Sequence, residues 1–291
     1  MRFLQLNHQA ILYLLTKEIS CTLFVIMLVT HYSFGQTSGG GVTDIDGNQY
    51  ATVILGNQEW MAENLKTTKY SNGDLIEQTT DNTYWAYTPV GMWRHYNDSV
   101  QYEATFGKWY NWFSVIDPRN VCPTGWHVPY NNEWDSLAIY LGGAQVAGGK
   151  MKEVGFSHWI NPNVGATNSS GFTALPAGYI GAGNFVSSQG MGVSAAFWTA
   201  SNYNAESSVK KYLNAYNQTI GGGPSAKNDG LSVRCLKNQS SVGLQNIYFE
   251  KNKEIIRVFD ASGREIEYTT GKLMFMMFSD GSVDKVYVIE Q

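Results

Sequence analysis

The feature that most constrains the fold of this chain is a pair of cysteines, Cys122 and Cys235, which are the only cysteines after the first 35 residues. In an oxidising compartment an even pair of this kind usually forms a disulfide. The bond would close a loop of about 113 residues, and in the chain-entropy model this removes roughly 4–5 kcal/mol of freedom from the unfolded chain. The alternative is two reactive thiols, so the pairing depends on whether the chain is exported.

The first 35 residues have the parts of a secretory signal peptide. Arg2 and Lys17 supply positive charge, an apolar run covers residues 21–29, and small residues surround Gly35. The run is shorter than the roughly 20 residues that a membrane-spanning helix needs. We predict a signal peptide over residues 1–35, no transmembrane helix after its cleavage, and a secreted or outer cell-surface location. The alternatives for this segment are a buried strand and an anchor helix.

Composition excludes several partners and fold classes. Only 15% of the residues are charged, against about 25% in a typical soluble domain, and the net charge is −4. Nothing here produces the positive field that attracts phosphates, so we expect no nucleic-acid partner. The 30 glycines, together with 9 tryptophans, 18 tyrosines and 13 phenylalanines, indicate a loop-rich globular protein rather than a disordered one.

Apolar periodicity predicts two helices. Residues 131–141 carry apolar side chains at i, i+3, i+4 and i+7, which places them on one helix face. Asn131 or Asn132 can cap the start of this helix, and Gly142-Gly143 can end it. A second, shorter helix is predicted over residues 106–115, where aromatic residues follow the same spacing.

The remaining patterns predict turns, strands and loops. Residues 36–43 predict a short flexible segment at the start of the mature chain. Asp46-Gly47 is typical of a type I′ hairpin turn, in which both central residues have positive φ. Residues 143–230 show no long period and predict a loop-rich lobe, and residues 231–236 predict a final strand. After a polar linker at 238–246, four short strands and their turns predict a small antiparallel β module.

A set of short motifs in fixed order closely resembles the Fibrobacter succinogenes major paralogous domain family over residues 42–237. The motifs are Asp46 to Asn48, Gly56 to Leu65, Gly107 to Val115, Cys122 to Pro129, Glu133-Trp134, Asn168 to Phe172, Leu175 to Gly178, Phe197 to Ser201 and Ser232 to Cys235. The resemblance implies an α+β, C-type-lectin-like fold with two helices, mixed sheets and a long loop lobe. It also supports the Cys122–Cys235 disulfide. Tyr130 departs from the family pattern, which usually has a threonine, so we expect the cap of the main helix to shift to Asn131.

The carboxy-terminal segment, residues 247–291, looks like a shortened sorting domain of the type IX secretion system of Bacteroidetes. The resembling residues are 258–264 and 272–289, although the usual Pro-Asn-Pro opening is missing. The resemblance implies that the secretion machinery is a partner of this tail. The alternative is a small accessory β domain.

No catalytic or metal site is expected. Asn161-Pro162-Asn163 and Tyr96-Asn97-Asp98 only partly resemble the calcium-binding triplets of sugar-binding C-type lectins. The spacing of Asp44, Asp46 and Asn48 fits a turn better than a calcium loop. The oxidase chemistry of formylglycine-generating relatives needs a thiol pair that the predicted disulfide would consume. We therefore expect no cofactor and no enzymatic activity.

Carboxylates and a histidine are the remaining candidates for chemistry. Asp98 and Glu103 are carboxylates that a polysaccharide-acting enzyme could use, although no spacing fixes a pair. His127 is expected to be a packed structural histidine rather than a catalytic one.

Four aromatic residues in a polar, turn-rich segment are candidate ligand contacts: Trp85, Tyr87, Trp93 and Tyr96. Packing of half of them in the core is the alternative. We expect an exported or cell-surface, non-catalytic module that binds a glycan or a protein through its loop face. The alternatives are a secreted polysaccharide-acting enzyme that uses loop carboxylates and a purely structural surface protein.

Overall fold

In the computed structural model the chain forms two compact units, divided between Asn238 and Gln239. The described residues are 37–181, 187–239, 255–260, 262–267, 273–279 and 283–287. The predicted signal peptide and residues 240–246 of the predicted linker lie outside them.

Short elements dominate both units. The α-helices among the described residues are α1 (Asn82–Tyr87), α2 (Glu103–Phe106), α3 (Trp112–Val115), α4 (Asn131–Tyr140) and α5 (Ala144–Met151), with 3₁₀ turns at Tyr96–Asp98 and Val100–Tyr102. The strands of the first unit are β1 (Thr37–Ser38), β2 (Val42–Thr43), β3 (Gln49–Tyr50), β4 (Thr52–Leu55), β5 (Gln58–Met61), β6 (Glu77–Gln78), β7 (Met92–Arg94), β8 (Trp109–Tyr110), β9 (Trp126–His127), β10 (Tyr179–Gly181), β11 (Ser187–Gln189), β12 (Ser194–Asn202), β13 (Ser207–Asn214), β14 (Gly221–Ala226) and β15 (Leu236–Lys237). Those of the second unit are β16 (Ile255–Asp260), β17 (Leu273–Phe278) and β18 (Val283–Tyr287).

Several small sheets form the framework of the first unit. The largest has the strand order β1-β4-β5-β15-β9, so that the last strand of the unit lies between strands from its beginning and its middle. A second sheet, β12-β13-β14, is antiparallel, and a third, β6-β7-β8, contains one parallel pair. No helix among the described residues is both long enough and apolar enough to cross a membrane. Mixed sheets with few helices agree with the expected α+β class.

The amino-terminal segment differs from the flexible segment that the sequence suggested. Thr37 and Ser38 form the edge strand β1 against β4. The amide of Gly40 then donates to Glu59 Oε1 over 3.0 Å, and that of Gly41 donates to Thr52 Oγ1 over 2.9 Å. These side-chain acceptors hold backbone that the glycine-rich composition alone would leave free.

The first hairpin forms where it was predicted, with a different turn. Strands β2 and β3 pair on either side of Asp46-Gly47. Gly47 has φ of +87°, but Asp46 is not in the left-handed region that a type I′ turn requires of both residues. The Gly47 amide donates instead to the carbonyl of Asp44, three residues earlier, over 3.0 Å.

The main helix is confirmed, but its cap is not. Helix α4 covers Asn131–Tyr140, and Gly142 and Gly143, which follow its C-cap Leu141, have φ of +98° and +102°. Its N-cap residue is Tyr130 rather than Asn131, and the free amide of Tyr130 donates to the carboxylate of Glu133 over 2.7 Å. The first-turn glutamate thus accepts from the N-cap amide, whereas a capping asparagine would have accepted from an amide inside the first turn.

The second predicted helix, over residues 106–115, is wrong. Helix α2 ends at Phe106 because Gly107 adopts φ of +73° and ψ of −156°. The chain then forms β8, which pairs with β7, before the single turn of α3. Trp109 and Trp112 consequently pack into different core clusters, so their helical spacing did not reflect a shared face.

The segment 143–230 is more regular than its sequence suggests. It contains α5 and strands β10 to β14, while the stretch between Met151 and Tyr179 remains without helix or strand. In α5, a side chain at Gly148 would meet the Thr219 carbonyl at 2.3 Å, and one at Gly149 would meet that of Gly165 at 2.4 Å. These glycines let loop backbone pack directly on the helix. The buried face of α5 therefore contains glycines where a periodic pattern would need large apolar side chains.

The end of the first unit is fixed by a disulfide between Cys122 and Cys235, with a Cα–Cα distance of 5.9 Å. Leu231 and Ser232 make only single bridges to other segments, so the predicted strand over 231–236 is reduced to β15 at its end. Leu236 pairs with both Trp60 and His127. The carboxy-terminal segment of the unit is thus bound covalently and through backbone pairing to its interior.

Beside the disulfide lies a buried cation, Arg234, which is 1% exposed. Its guanidinium donates to Asn64 Oδ1 (2.6 Å) and to the carbonyls of Met61 (3.1 Å), Phe172 (2.6 Å) and Thr173 (3.0 Å). The ring of Phe172 lies 4.5 Å from the guanidinium carbon. Burial lowers the pKa of Arg234, and the charge of Glu63 opposes that shift.

The second unit is a small antiparallel sheet in the order β16-β17-β18. Val258, Met274, Met276 and Phe278 form its core. Four strands were predicted; the described residues contain three, and the predicted strand at 264–266 is represented by a single bridge between Phe259 and Glu265.

Candidate binding site

The four aromatic residues expected to contact a ligand do not share an exposed surface. Trp85 in α1 is fully buried, and Trp93 in β7 is 6% exposed. The ring of Tyr96 packs against that of Trp109, with centroids 4.8 Å apart. Tyr87, at the end of α1, is 77% exposed and is the one of the four whose ring is freely accessible.

The two carboxylates considered for hydrolysis are both engaged by cations. Arg94 binds Asp98 in a bidentate pair, with Nε and Nη2 donating over 2.9 and 2.7 Å. Glu103 accepts from His95 over 2.6 Å and pairs with Lys108 at 2.5 Å. Burial alone would raise the pKa of Glu103, but these two partners outweigh it and lower the pKa below its ordinary value. This arrangement suits ion pairs that fix the segment better than a general acid.

His127 is the last residue of β9, and its side chain contacts the first turn of α4. Its Nε2 lies 3.0 Å from the carboxylate of Glu133, and its Nδ1 lies 2.7 Å from Asn238 Oδ1. Burial alone would lower the pKa of His127, but the hydrogen bonds with Glu133 and Asn238 raise it above the ordinary value. The pair ties the main helix to the end of the first unit.

The residues that resemble a calcium loop form a hydrogen-bonded turn. Asp44 Oδ1 accepts from the amides of Asp46 (3.0 Å) and Asn48 (2.9 Å), and Oδ2 accepts from the Tyr50 hydroxyl over 2.6 Å. Burial and the hydrogen bond to Asp44 raise the pKa of Tyr50. In the described part of the chain, no group of three or more histidine, cysteine, aspartate or glutamate residues could hold a metal ion.

A pocket of about 170 Å³ opens beside this turn. It is lined by Thr43, Asp44, Ile45, Thr67, Lys69, Ser71, Val121, Cys122, Pro123 and Thr124. Burial alone would raise the pKa of Asp46, which borders this region, but hydrogen bonds from Thr68, Lys69 and Thr67 lower it to about 2. The ammonium of Lys69 lies 3.0 Å from Asp46 Oδ1. Segments that are distant in sequence therefore enclose a preformed, mixed polar and apolar cavity.

A second buried cation, Lys152, anchors the long loop after α5 and is 0% exposed. Its ammonium donates to the carbonyls of Val164 (3.0 Å), Asn214 (2.9 Å) and Asn217 (2.9 Å). Burial lowers the pKa of Lys152 to about 8. One side chain thus connects the long loop to the end of β13 and to the turn that follows it.

Backbone and asparagine contacts fix the same loop at further points. Asn163 donates from Nδ2 to the carbonyls of Glu153 and Gly155, each over 2.9 Å. The Ile160 amide donates to the Gly192 carbonyl over 2.9 Å, and the Val164 amide donates to that of Ala215 over 2.8 Å. The loop is therefore anchored although it contains no helix or strand.

The anchored loops expose apolar side chains, which we call the loop face: Ile160, Pro162, Val164 and Tyr216. Tyr216 is 60% exposed, and Ile160 and Val164 are 39% and 38% exposed. Sequence reasoning missed this surface because it treated residues 161–163 only as an incomplete calcium triplet. The available signal was the alternation of apolar residues with asparagines from Ile160 to Val164.

Comparison with known families identifies the first unit. No match is found among curated proteins, and none among solved structures. Residues 53–237 match the family model described as the Fibrobacter succinogenes major domain, and this segment contains both cysteines and all the residues of the loop face. The chain belongs to the Fibrobacter succinogenes major domain family.

Proposed function

We propose that this chain is an exported or cell-surface, non-catalytic module that binds a glycan or protein partner through its loop face. The single observation that carries the proposal is the anchoring of an exposed apolar surface by the buried Lys152. A loop that is already ordered loses little conformational entropy on binding, which favours affinity. The hydrogen bond from the Val164 amide to the Ala215 carbonyl brings the segment of Tyr216 beside that of Val164, and exposed apolar groups brought together are typical of recognition sites.

The exposed groups suit either class of partner. Tyr216 offers a ring that can stack on a sugar and a hydroxyl that can form hydrogen bonds. Ile160, Pro162 and Val164 offer aliphatic contact, which protein partners bury more readily than sugars do. The engaged state of Asp98 and Glu103 favours binding over hydrolysis.

The proposal also covers the export of the chain and the folds of its two units. The signal-like residues 1–35 and the Cys122–Cys235 disulfide both suit an oxidising compartment outside the cytoplasm. We further propose that the first unit is C-type-lectin-like and that the second unit is a type IX sorting tail. The mass of the native protein after fractionation would test both proposed cleavage points and the location.

The binding test compares the purified wild-type protein with Ile160→Asp and Tyr216→Ser on a glycan array and in pull-downs from extracts of the source organism. We expect a specific glycan or protein ligand for the wild type. Each variant should lose at least tenfold in affinity, because both changes remove area that the ligand would cover. The matched control is Ile139→Asp, which changes an isoleucine that is 76% exposed on α4.

Two results would contradict the proposal. One is an absence of any ligand for correctly folded protein, which would favour a structural surface protein. The other is binding that Ile139→Asp weakens as much as Ile160→Asp does. Release of reducing sugar that Glu103→Gln abolishes would instead favour the polysaccharide-acting enzyme.

A further inference from the structure

We propose that the pocket beside the Asp44 turn is a second, metal-independent site for one neutral, hydroxyl-rich ring, such as a single sugar residue. The site is separate from the loop face and does not depend on the proposed function. Its walls come from the first hairpin, from residues 67–71 and from the disulfide-bonded segment 121–124. Hydrogen bonds and the disulfide hold these walls in place, so the cavity exists before any ligand arrives.

The pocket is lined by both polar and apolar groups, as a sugar ring presents both hydroxyls and C–H groups. Ile45, which is 50% exposed, and the buried Val121, Pro123 and disulfide-bonded Cys122 form its apolar lining. Thr43 and Thr124 line the same cavity, and their hydroxyls make no hydrogen bond within the described residues. Each hydroxyl can both donate and accept, which matches the hydroxyls of a sugar.

The charges around the pocket favour an uncharged ligand. Asp44 already accepts four hydrogen bonds from the turn, and Asp46 is paired with Lys69. An anionic ligand would meet these two carboxylates, and a cationic one would meet the ammonium of Lys69. That ammonium has three donors and uses one on Asp46, so donors remain for a ligand oxygen. A neutral polyol uses these groups without burying an unpaired charge.

The size of the pocket limits the ligand to one ring. Its volume of about 170 Å³ lies below the roughly 300 Å³ at which pockets for drug-sized ligands begin. A longer glycan would therefore place only one residue here, with the remainder outside. Affinity for a free monosaccharide should accordingly be weak and saturable.

The test is titration of the ¹⁵N-labelled, disulfide-bonded protein with glucose, galactose, mannose and N-acetylglucosamine, in the presence of a chelator. We expect at least one sugar to shift the amide resonances of Thr67, Lys69 and Thr124 saturably. The double variant Thr43→Val/Thr124→Val should weaken that binding roughly tenfold, because two hydrogen bonds are lost. Both threonines are exposed, so valine should leave the fold intact.

Two control variants change exposed residues outside the pocket and outside the loop face. Thr105→Val on α2 and Ile139→Asp on α4 should both bind as the wild type does. The inference is overturned if none of the four sugars gives saturable shifts at the pocket. It is also overturned if the double valine variant binds as tightly as the wild type, or if inorganic phosphate produces the same shifts more strongly than any sugar.

Discussion

Two buried cations, Arg234 and Lys152, organise different regions of the first unit. Each is at most 1% exposed, and each donates mainly to main-chain carbonyls rather than to a carboxylate. Arg234 lies in the interior, beside the disulfide and against the ring of Phe172. Lys152 instead anchors the loops that carry the exposed side chains of the loop face.

A buried cation that donates to main-chain carbonyls can thus stabilise either the interior or a surface loop. The planar guanidinium of Arg234 satisfies four acceptors in fixed directions and is always charged near neutral pH. The single ammonium of Lys152 satisfies three acceptors and has a pKa lowered to about 8 by burial. Burial also lowers the pKa of Arg234, to about 9, so the anchor of the loop face should respond to rising pH before the interior does.

The largest effect is expected for Arg234→Met. Methionine fills part of the volume but leaves Asn64 Oδ1 and the carbonyls of Met61, Phe172 and Thr173 without donors. Since each buried unsatisfied group costs about 1–3 kcal/mol, we expect a loss of about 4 kcal/mol or more in the free energy of unfolding. Urea denaturation of the disulfide-bonded protein measures it.

Arg234→Lys is the matched variant, because it keeps the charge but cannot reach all four acceptors. We expect its stability to lie between those of the wild type and Arg234→Met. A loss below about 1 kcal/mol for the methionine variant would show that the guanidinium does not hold the interior together.

The second effect comes from the disulfide near Arg234. The double variant Cys122→Ser/Cys235→Ser should lose about 2–5 kcal/mol, because the unfolded chain regains the freedom that the crosslink removes. Denaturation with and without reductant measures this loss. Reductant should lower the stability of the wild type and leave that of the serine variant unchanged. Equal stability of the wild type and the serine variant without reductant would contradict the prediction.

The smallest effect is expected for Lys152→Met. Three carbonyls lose a donor, but the buried methionine recovers part of the loss, so we expect about 1–2 kcal/mol. Amide hydrogen exchange should accelerate mainly at residues 160–164 and 214–217. A loss as large as that of Arg234→Met, or exchange that accelerates throughout the unit, would remove the distinction between the two cations.

The pH response of Lys152 has a defined sign. Between pH 8 and 10.5 the unfolded chain keeps the lysine proton while the folded protein has released it, so the lysine's contribution to folding stability increases with pH. The stability of the wild type relative to Lys152→Met should therefore grow across this window. Local opening that exposes Lys152 to water follows the same linkage, so the protection factors of the loop amides should also increase across this window.

The sequence predicted those features that depend on local pattern. The face of α4, formed by Trp134, Leu137, Ala138 and Leu141, packs in one core cluster as its spacing indicated. The hairpin at Asp46-Gly47, the strands at 255–260 and 273–278, and the disulfide were likewise predicted.

Features that depend on distant contacts could not be predicted in this way. Helix α5 packs through Gly148 and Gly149 against backbone some 16 or more residues away, which leaves no apolar period. Trp85 and Trp93 lie in a polar segment, yet tertiary packing buries them. The roles of Lys152 and Arg234 depend on carbonyls far along the chain, and no residue type signals those partners.

Main-chain carbonyls as anchoring partners have one further consequence. Every amino acid carries a carbonyl, so Val164, Asn214 and Asn217 could change identity without removing the acceptors that Lys152 needs. The scaffold therefore separates loop shape from the chemistry of the surface that the loop displays. New specificities could be engineered, or selected, at Ile160, Val164 and Tyr216 while the underlying architecture stays the same.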